Sequence, residues 1–269
     1  MIQTVIAGAA GRMGGMLISL LPAFPQLRLH AACDQPGSPR LGLDSGLASG
    51  TAANGAMIGG DLATALHGAQ LLIDFTHAGA TAANLEAARS AGVAVLLGTT
   101  GWQGQADAEA ALERAARDVP VLPSANMSIG VALLARLVRQ AAATLGAEFD
   151  IEIVEAHHRM KVDAPSGTAL LLGHAAAEGR GTTLDVTRAA TDRHGAARRA
   201  GDIGFACLRG GDVVGEHAVH FLGPGERLVL QHSATDRALF ARGALQAGRW
   251  LASQPPGRYQ LADYLSAKS

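Results

Sequence analysis

Lysine is nearly absent from this chain of 269 residues: 20 of its 22 basic residues are arginine, and only Lys161 and Lys268 remain. Arginine stays protonated, whereas a lysine pKa can be moved into a useful range, so Lys161 stands out as the one internal amine. Cysteine is as scarce. Cys33 and Cys207 lie far apart with no CxxC partner, which excludes a disulfide framework and a cysteine zinc site and suits a reducing cytoplasm. Charged residues make up 17% of the chain and nearly balance, for a net charge of −1. That argues against a nucleic-acid surface, which normally needs a basic excess or a basic stripe. No stretch reaches the ~18 uninterrupted apolar residues of a spanning helix, so no membrane role is expected. Met1-Ile2-Gln3 lacks a basic lead, so no signal peptide is expected either.

What is plentiful is apolar residues, at 48%, and glycine, with 34 residues, about twice the usual ~7% share. Disorder does not fit regular apolar patterning, so the glycines are read as tight turns and close backbone approaches. The length suits one large domain or two modest ones.

The first half alternates short apolar runs with Ala/Leu-rich helical stretches. Strands are expected at Thr4–Ala7, Leu27–Cys33, Leu71–Phe75, Val93–Leu97 and Val119–Leu122. Helices are expected at Gly14–Leu21, from Asp61 as a cap to His67, at Thr81–Ser90 and at Asp107–Arg117, while Ser38–Gly60 reads as loop. Such alternation implies βαβ units, and hence a Rossmann-like doubly wound parallel sheet. The pattern changes after residue 127. A long helix at Ile129–Leu145 and a strand at Asp150–Ala156 precede a polar stretch and a helix at Thr168–Glu178. Strands at Phe205–Leu208, Val213–His220 and Arg227–His232 have spacing that suits antiparallel pairing, and a last amphipathic helix runs from Asp236 to Ala252. The reading is therefore α/β, with residues 127–235 forming a C-terminal α+β domain on an open mixed or antiparallel sheet. Residues 236–269 are expected to return to the dinucleotide-binding domain formed by 1–126.

Gly8, Ala9, Ala10, Gly11, Arg12, Met13 and Gly14 occupy the first strand-to-helix turn. Glycines there let backbone N–H groups approach a pyrophosphate at a helix N-terminus. The GxxGxxG spacing alone also suits a small-residue packing turn. Context favours the ligand, because Asp34 ends the second strand 20 residues after Gly14, where an acid accepts hydrogen bonds from an adenosine ribose. Gly98-Thr99-Thr100-Gly101 and Ser124-Ala125-Asn126-Met127 follow later strand ends, where the nicotinamide half of a dinucleotide would lie; on pattern alone each suits an ordinary turn and helix cap equally well.

The segment from Glu155 to Thr168 packs His157, His158, Arg159 and Lys161 within five positions, between a strand and a helix. Clustered cations depress one another's pKa and attract anions, so a histidine or lysine here can donate a proton near neutral pH. Ser166-Gly167-Thr168 opens a helix whose free N–H groups suit a carboxylate. The residues thus describe acid–base chemistry on a small anionic substrate; the competing reading is a solvated basic loop with a helix cap. No metal is expected, because adjacent histidines in extended chain point to opposite faces and no cysteine or HxxxH spacing accompanies them.

These segments, with Ile73-Asp74-Phe75-Thr76, Ser124–Gly130, Glu155–Ala169 and Gly211-Asp212-Val213-Val214-Gly215-Glu216-His217, resemble the dihydrodipicolinate reductase family over nearly the whole chain. The resemblance implies reduction of 4-hydroxy-tetrahydrodipicolinate, a small dicarboxylate of the diaminopimelate and lysine pathway, with NADH or NADPH and loss of water. It implies a homotetramer built through the open sheet of the second domain. It also implies proton donation by His157 and Lys161, a substrate contact from His158, and a carboxylate held by Gly167 and Thr168. By the same likeness the cofactor is held by Gly8–Met13, Asp34, Gly98–Thr100 and Ser124–Met127. One departure matters: many family members follow the ribose acid with an arginine that grips the 2′-phosphate of NADPH, and here Gln35 follows Asp34. NADH preference, or dual use with Arg12 or Arg40 as substitutes, is therefore expected. Another two-domain NAD(P) oxidoreductase and a non-catalytic nucleotide sensor are the competing readings.

Overall fold

A computed structural model describes residues 1–185 and 197–268. Its contacts divide the chain into one unit of Met1–Ser128 with Ala238–Ser269 and a second of Ile129–Arg237. In the first unit the elements run β1 (Ile2–Ala7), α1 (Arg12–Leu20), β2 (Leu27–Cys33), α2 (Ser45–Ala48), β3 (Ile58–Gly59), α3 (Leu62–Ala65), β4 (Leu71–Asp74), α4 (Thr81–Ala91), β5 (Ala94–Leu97), α5 (Ala106–Asp118) and β6 (Pro120–Pro123). The second unit holds α6 (Ile129–Leu145), β7 (Asp150–His157), α7 (Gly167–Gly179), β8 (Ile203–Arg209), β9 (Gly215–Gly223) and β10 (Glu226–Ala234). The chain then returns to the first unit with α8 (Ala238–Leu251), β11 (Gly257–Arg258) and α9 (Leu261–Ser266).

The first sheet has the order β11-β6-β5-β4-β1-β2-β3, with every pairing parallel. Its central strands are continuous apolar runs because both faces are covered. Leu72, Val95, Leu97 and Val121 pack against Leu85 and Ala88 of α4 and Leu112 and Ala115 of α5. On the opposite face Gly248 of α8 lies against Leu71 and Ile73. Since β1 neighbours β2 on one side and β4 on the other, the strand order reverses there, and a crevice opens beyond the carboxyl ends of these strands.

The second sheet has the order β10-β9-β7-β8. Here the antiparallel expectation holds only in part: β9 pairs antiparallel with β7 and β10, but β8 runs parallel to β7. In chain order α7 stands between β7 and β8, and a helix-bearing crossover is what joins parallel neighbours. One face of this sheet packs on α6 and α7, in a core that includes Leu134, Val138, Leu172, Ile151, Ile153, Phe205, Val219 and Phe221. The helical run Ile129–Glu148 is long and apolar enough by composition to cross a membrane. It nonetheless buries Val131, Leu134, Val138 and Ala142, and Arg139 on it pairs with Glu178.

The stretch 38–60, expected as plain loop, is ordered by one side chain. Asp44 caps α2 by accepting from the N–H groups of Gly46 and Leu47, and it also accepts from those of Asn54 and Gly55. A Gly/Ser/Ala-rich segment carries no apolar periodicity to announce such a knot. The two-residue strands β3 and β11 and the short helix α9 also escaped the sequence reading.

Candidate active site

In the first unit, the glycine loop joins β1 to α1 at the strand-order reversal. Gly8 has a φ of +80°, and a Cβ there would lie 2.5 Å from the Phe75 carbonyl oxygen; a Cβ on Gly14 would lie 2.1 Å from the Gly8 oxygen. Only glycine permits so tight a turn against β4. Gly11 caps α1 without a side-chain acceptor, which leaves the N–H groups of the first turn without a side-chain cap, an arrangement that suits an anion. Asp34 Oδ2 accepts from the Ala10 N–H at 2.7 Å, and Oδ1 accepts from Gln35 N at 2.8 Å.

A cavity of about 620 Å³ opens beside these groups. Gly8, Ala10, Gly11, Asp34 and Arg40 are among its lining residues, with Phe75, Thr76 and Asn84 on the β4 side. Arg40 donates through Nη1 to the carbonyls of Ala10 and Ala48, each at 3.2 Å. Glycines that a Cβ would overfill, open helix N–H groups and an acid at the end of β2 fit the adenosine and pyrophosphate of a dinucleotide.

The other residues assigned to this ligand take different positions. Ala9 is buried and donates to Cys33 O, while Arg12 and Met13 begin α1 outside the cavity lining. Gly98–Thr100 follow β5 and Ser124–Met127 follow β6, also outside that lining. Thr99 is tied to Asp74, a fully buried carboxylate. Asp74 also accepts from the Thr76 N–H and hydroxyl and from Asn84 Nδ2, so it joins the loops after β4 and β5. Cys33 lines the cavity, but burial, reinforced by Asp61 and Asp34, pushes its thiol up to about 11.

In the second unit, the register explains why a polar cluster forms at one end of an apolar sheet. Successive core-facing rows read Ile203–Ile151–Phe221, then Phe205–Ile153–Val219, then Cys207–Glu155–His217–His232. The third row replaces hydrocarbon with titratable groups, and His157 follows Glu155 on the same face of β7. Glu155 is 1% exposed. Its Oε2 accepts from His157 Nδ1–H, and Arg209 grips both carboxylate oxygens, with Nη1 at 3.0 Å and Nη2 at 2.7 Å. Ser166 N donates to Oε1 at 3.1 Å. Burial alone would raise the Glu155 carboxyl, but Arg209, Cys207 and His157 outweigh it and hold the group below its ordinary value.

His157 is pulled below its ordinary value by burial and lifted partly back by Glu155. His217 lies edge-on to it with ring centroids 5.0 Å apart, bonds Ser166 Oγ through Nε2, and is pushed down to about 4 by burial. Lys161 Nζ donates to both oxygens of Asp163 at 2.8 Å. Arg209 also donates to Asp163 O, which ties the Lys161 loop to β8. His158 Nε2 accepts from Arg237 at 3.2 Å. Ser166 caps α7 by accepting from Ala169 N, so Gly167 and Thr168 form the first turn of that helix beside the cluster.

Sequence reasoning named His157, His158, Lys161, Gly167 and Thr168 for the site, and the structure gathers them at one end of the second sheet. It assigned no role to Glu155, Asp163, Arg209 or His217, and took Ser166 only as part of the opening of the helix. The spacing of Glu155 and His157, two apart on a strand, was the available signal. Arg209 and His217 became visible only through strand register. Glu155, His157 and His217 place ligand-type atoms within 4.8 Å of one another. The carboxylate oxygens, however, are already engaged by Arg209, Ser166 and His157, and the guanidinium charge opposes a cation, so this set does not fit a resident metal.

Residues 2–127 match the family model for the N-terminus of dihydrodipicolinate reductase, and residues 130–265 match the model for its C-terminus. A 4-hydroxy-tetrahydrodipicolinate reductase of Ruegeria pomeroyi is 50% identical over 97% of both chains. One from Anaeromyxobacter dehalogenans is 48% identical over 100% of this chain and 99% of its own. Among solved structures, a dipicolinate-bound dihydrodipicolinate reductase from Paenisporosarcina sp. TG-14 shares the fold, with a TM-score of 0.77 over 97% of both chains at 21% identity.

Proposed function

Because this chain belongs to the dihydrodipicolinate reductase family, we propose that it reduces 4-hydroxy-tetrahydrodipicolinate to tetrahydrodipicolinate with loss of water, in diaminopimelate and lysine biosynthesis. The observation that carries this reading is the cluster of His157, Lys161 and the start of α7 at one end of the second sheet. A bound reduced nicotinamide nucleotide supplies the hydride. Hydride addition needs one matching proton, and His157 and Lys161 are the groups that can deliver it. The first turn of α7, at Gly167 and Thr168, receives a substrate carboxylate. His158, oriented by Arg237, supplies a further substrate contact.

The nucleotide is held by Gly8–Met13, Asp34, Gly98–Thr100 and Ser124–Met127. Asp34 without a following arginine repels a 2′-phosphate, so NADH is preferred or both cofactors serve. Arg40 on the cavity wall is the countercharge that would admit NADPH. The enzyme is cytoplasmic, in keeping with free cysteines. It assembles as a homotetramer through the open sheet, whose edge strand β10 exposes Leu228 and Val229.

The test is oxidation of NADH and NADPH with substrate made in situ from pyruvate and aspartate semialdehyde by the preceding enzyme. Rapid oxidation supports the reaction. Nucleotide binding without turnover would replace it with a sensor or another dehydrogenase. A kcat/KM for NADPH tenfold above that for NADH would overturn the cofactor assignment.

A further inference from the structure

We propose that Glu155 is the positioning residue of His157: it keeps Nδ1–H on its carboxylate, so that Nε2 is the nitrogen that serves the substrate. The inference rests on His157 taking part in the reaction, and the experiment below separates the two.

The geometry leaves little choice of arrangement. Glu155 and His157 project from the same face of β7, and an ionised carboxylate can only accept, so at their contact the imidazole must donate through Nδ1. The carboxylate cannot turn away. Arg209 grips both of its oxygens, the Ser166 N–H holds Oε1, and Cys207 from β8 donates to it. The Cys207 thiol is raised to about 11, chiefly by burial, so it acts as a neutral donor. His217 braces the imidazole edge-on from β9.

Among the described residues Nε2 is then the free ring nitrogen, and the chain keeps space beside it. A Cβ on Gly215 would lie 3.1 Å from Nε2, closer than packing tolerates without a shift. That gives a physical reason for glycine within the segment Gly211–His217. The charged and titratable groups facing the ring are Glu155 from β7, Arg209 from β8, His217 from β9 and Lys161 from the loop. Burial, Lys161 and Arg209 all disfavour the imidazolium, and Glu155 alone favours it. The carboxylate therefore both orients the ring and opposes the burial and cationic neighbours that disfavour its protonated form.

Glu155→Gln removes the charge and keeps the shape. Expected results are a kcat at least tenfold lower, an NADH KM within twofold of the parent, and a descending alkaline limb of the kcat profile displaced to lower pH. The sign follows from losing the one group that raises the His157 pKa. The double variant with His157→Gln should be no slower than His157→Gln alone. Parent-like kcat and pH profile in Glu155→Gln, or a further tenfold loss in the double variant, would overturn the proposal. If His157→Gln itself leaves kcat and the alkaline limb intact, the reading of His157 fails and the proposal falls with it.

A measurement on the unaltered enzyme guards against a variant that does not fold. In protein labelled with 15N-histidine, the His157 signals are those missing from His157→Gln. A protonated Nδ1 beside an unprotonated Nε2 in the neutral ring supports the assignment, and the opposite tautomer refutes it.

Discussion

In the proposed reaction Lys161 is the residue whose environment must change, because its ammonium is paired with Asp163. An incoming carboxylate competes for the same charge, and a surface-side pair of this kind is weak enough to yield. Lys161→Ala should lower kcat by about 100-fold or more, within the usual range for a lost general acid, while calorimetry shows unchanged NADH affinity. An unchanged kcat would remove the lysine from the chemistry. The two cysteines make the opposite case. Both thiols are raised to about 11, mainly by burial, so well under about 0.1% is thiolate at pH 7.5. Iodoacetamide should label the native enzyme slowly and leave it active; rapid alkylation of Cys207 with loss of activity would contradict its place as a neutral donor to Glu155.

At the scale of elements, the informative feature is that a carboxylate at the end of two of the parallel strands, β2 and β4, fastens neighbouring loops. Asp34 after β2 holds Ala10, and Asp74 at the end of β4 holds Thr76 and Thr99. Asp44 does the same inside the 38–60 stretch, which carries Ser38 and Arg40 to the cavity wall. Four backbone N–H groups depend on it. Asp44→Ala should lower the thermal midpoint by several degrees and raise the KM for NADH several-fold while kcat holds. A variant with parent-like KM would show that this knot stabilises the loop without shaping the nucleotide site. Composition could not reveal it, because an aspartate among glycines and alanines looks the same whether it caps a turn or faces water.

At the scale of the molecule, the second sheet buries one face and leaves Leu228 and Val229 exposed on its edge strand. Exposed edges are usually paired or guarded. The proposed homotetramer gives that edge a partner. Light scattering should return four times the 27.4 kDa chain mass, and Leu228→Asp should yield a smaller species. A single-chain mass at micromolar concentration would exclude the tetramer.

Local signals sufficed where one residue type in one periodicity decides the outcome. Alternating apolar runs and helical stretches announced the parallel sheet, and the glycines after the first strand announced its turn. His157 to Thr168 announced a cluster of titratable groups beside a helix start. All of these are short-range properties of the chain. Only the tertiary structure decided which distant residues complete them. Arg209 lies 54 residues from the carboxylate it grips, and Ser166 lies 51 residues from His217. The parallel direction of β8 and the knot at Asp44 were settled the same way. Strand register and loop closure bring such groups together, and neither leaves a periodic mark on the sequence.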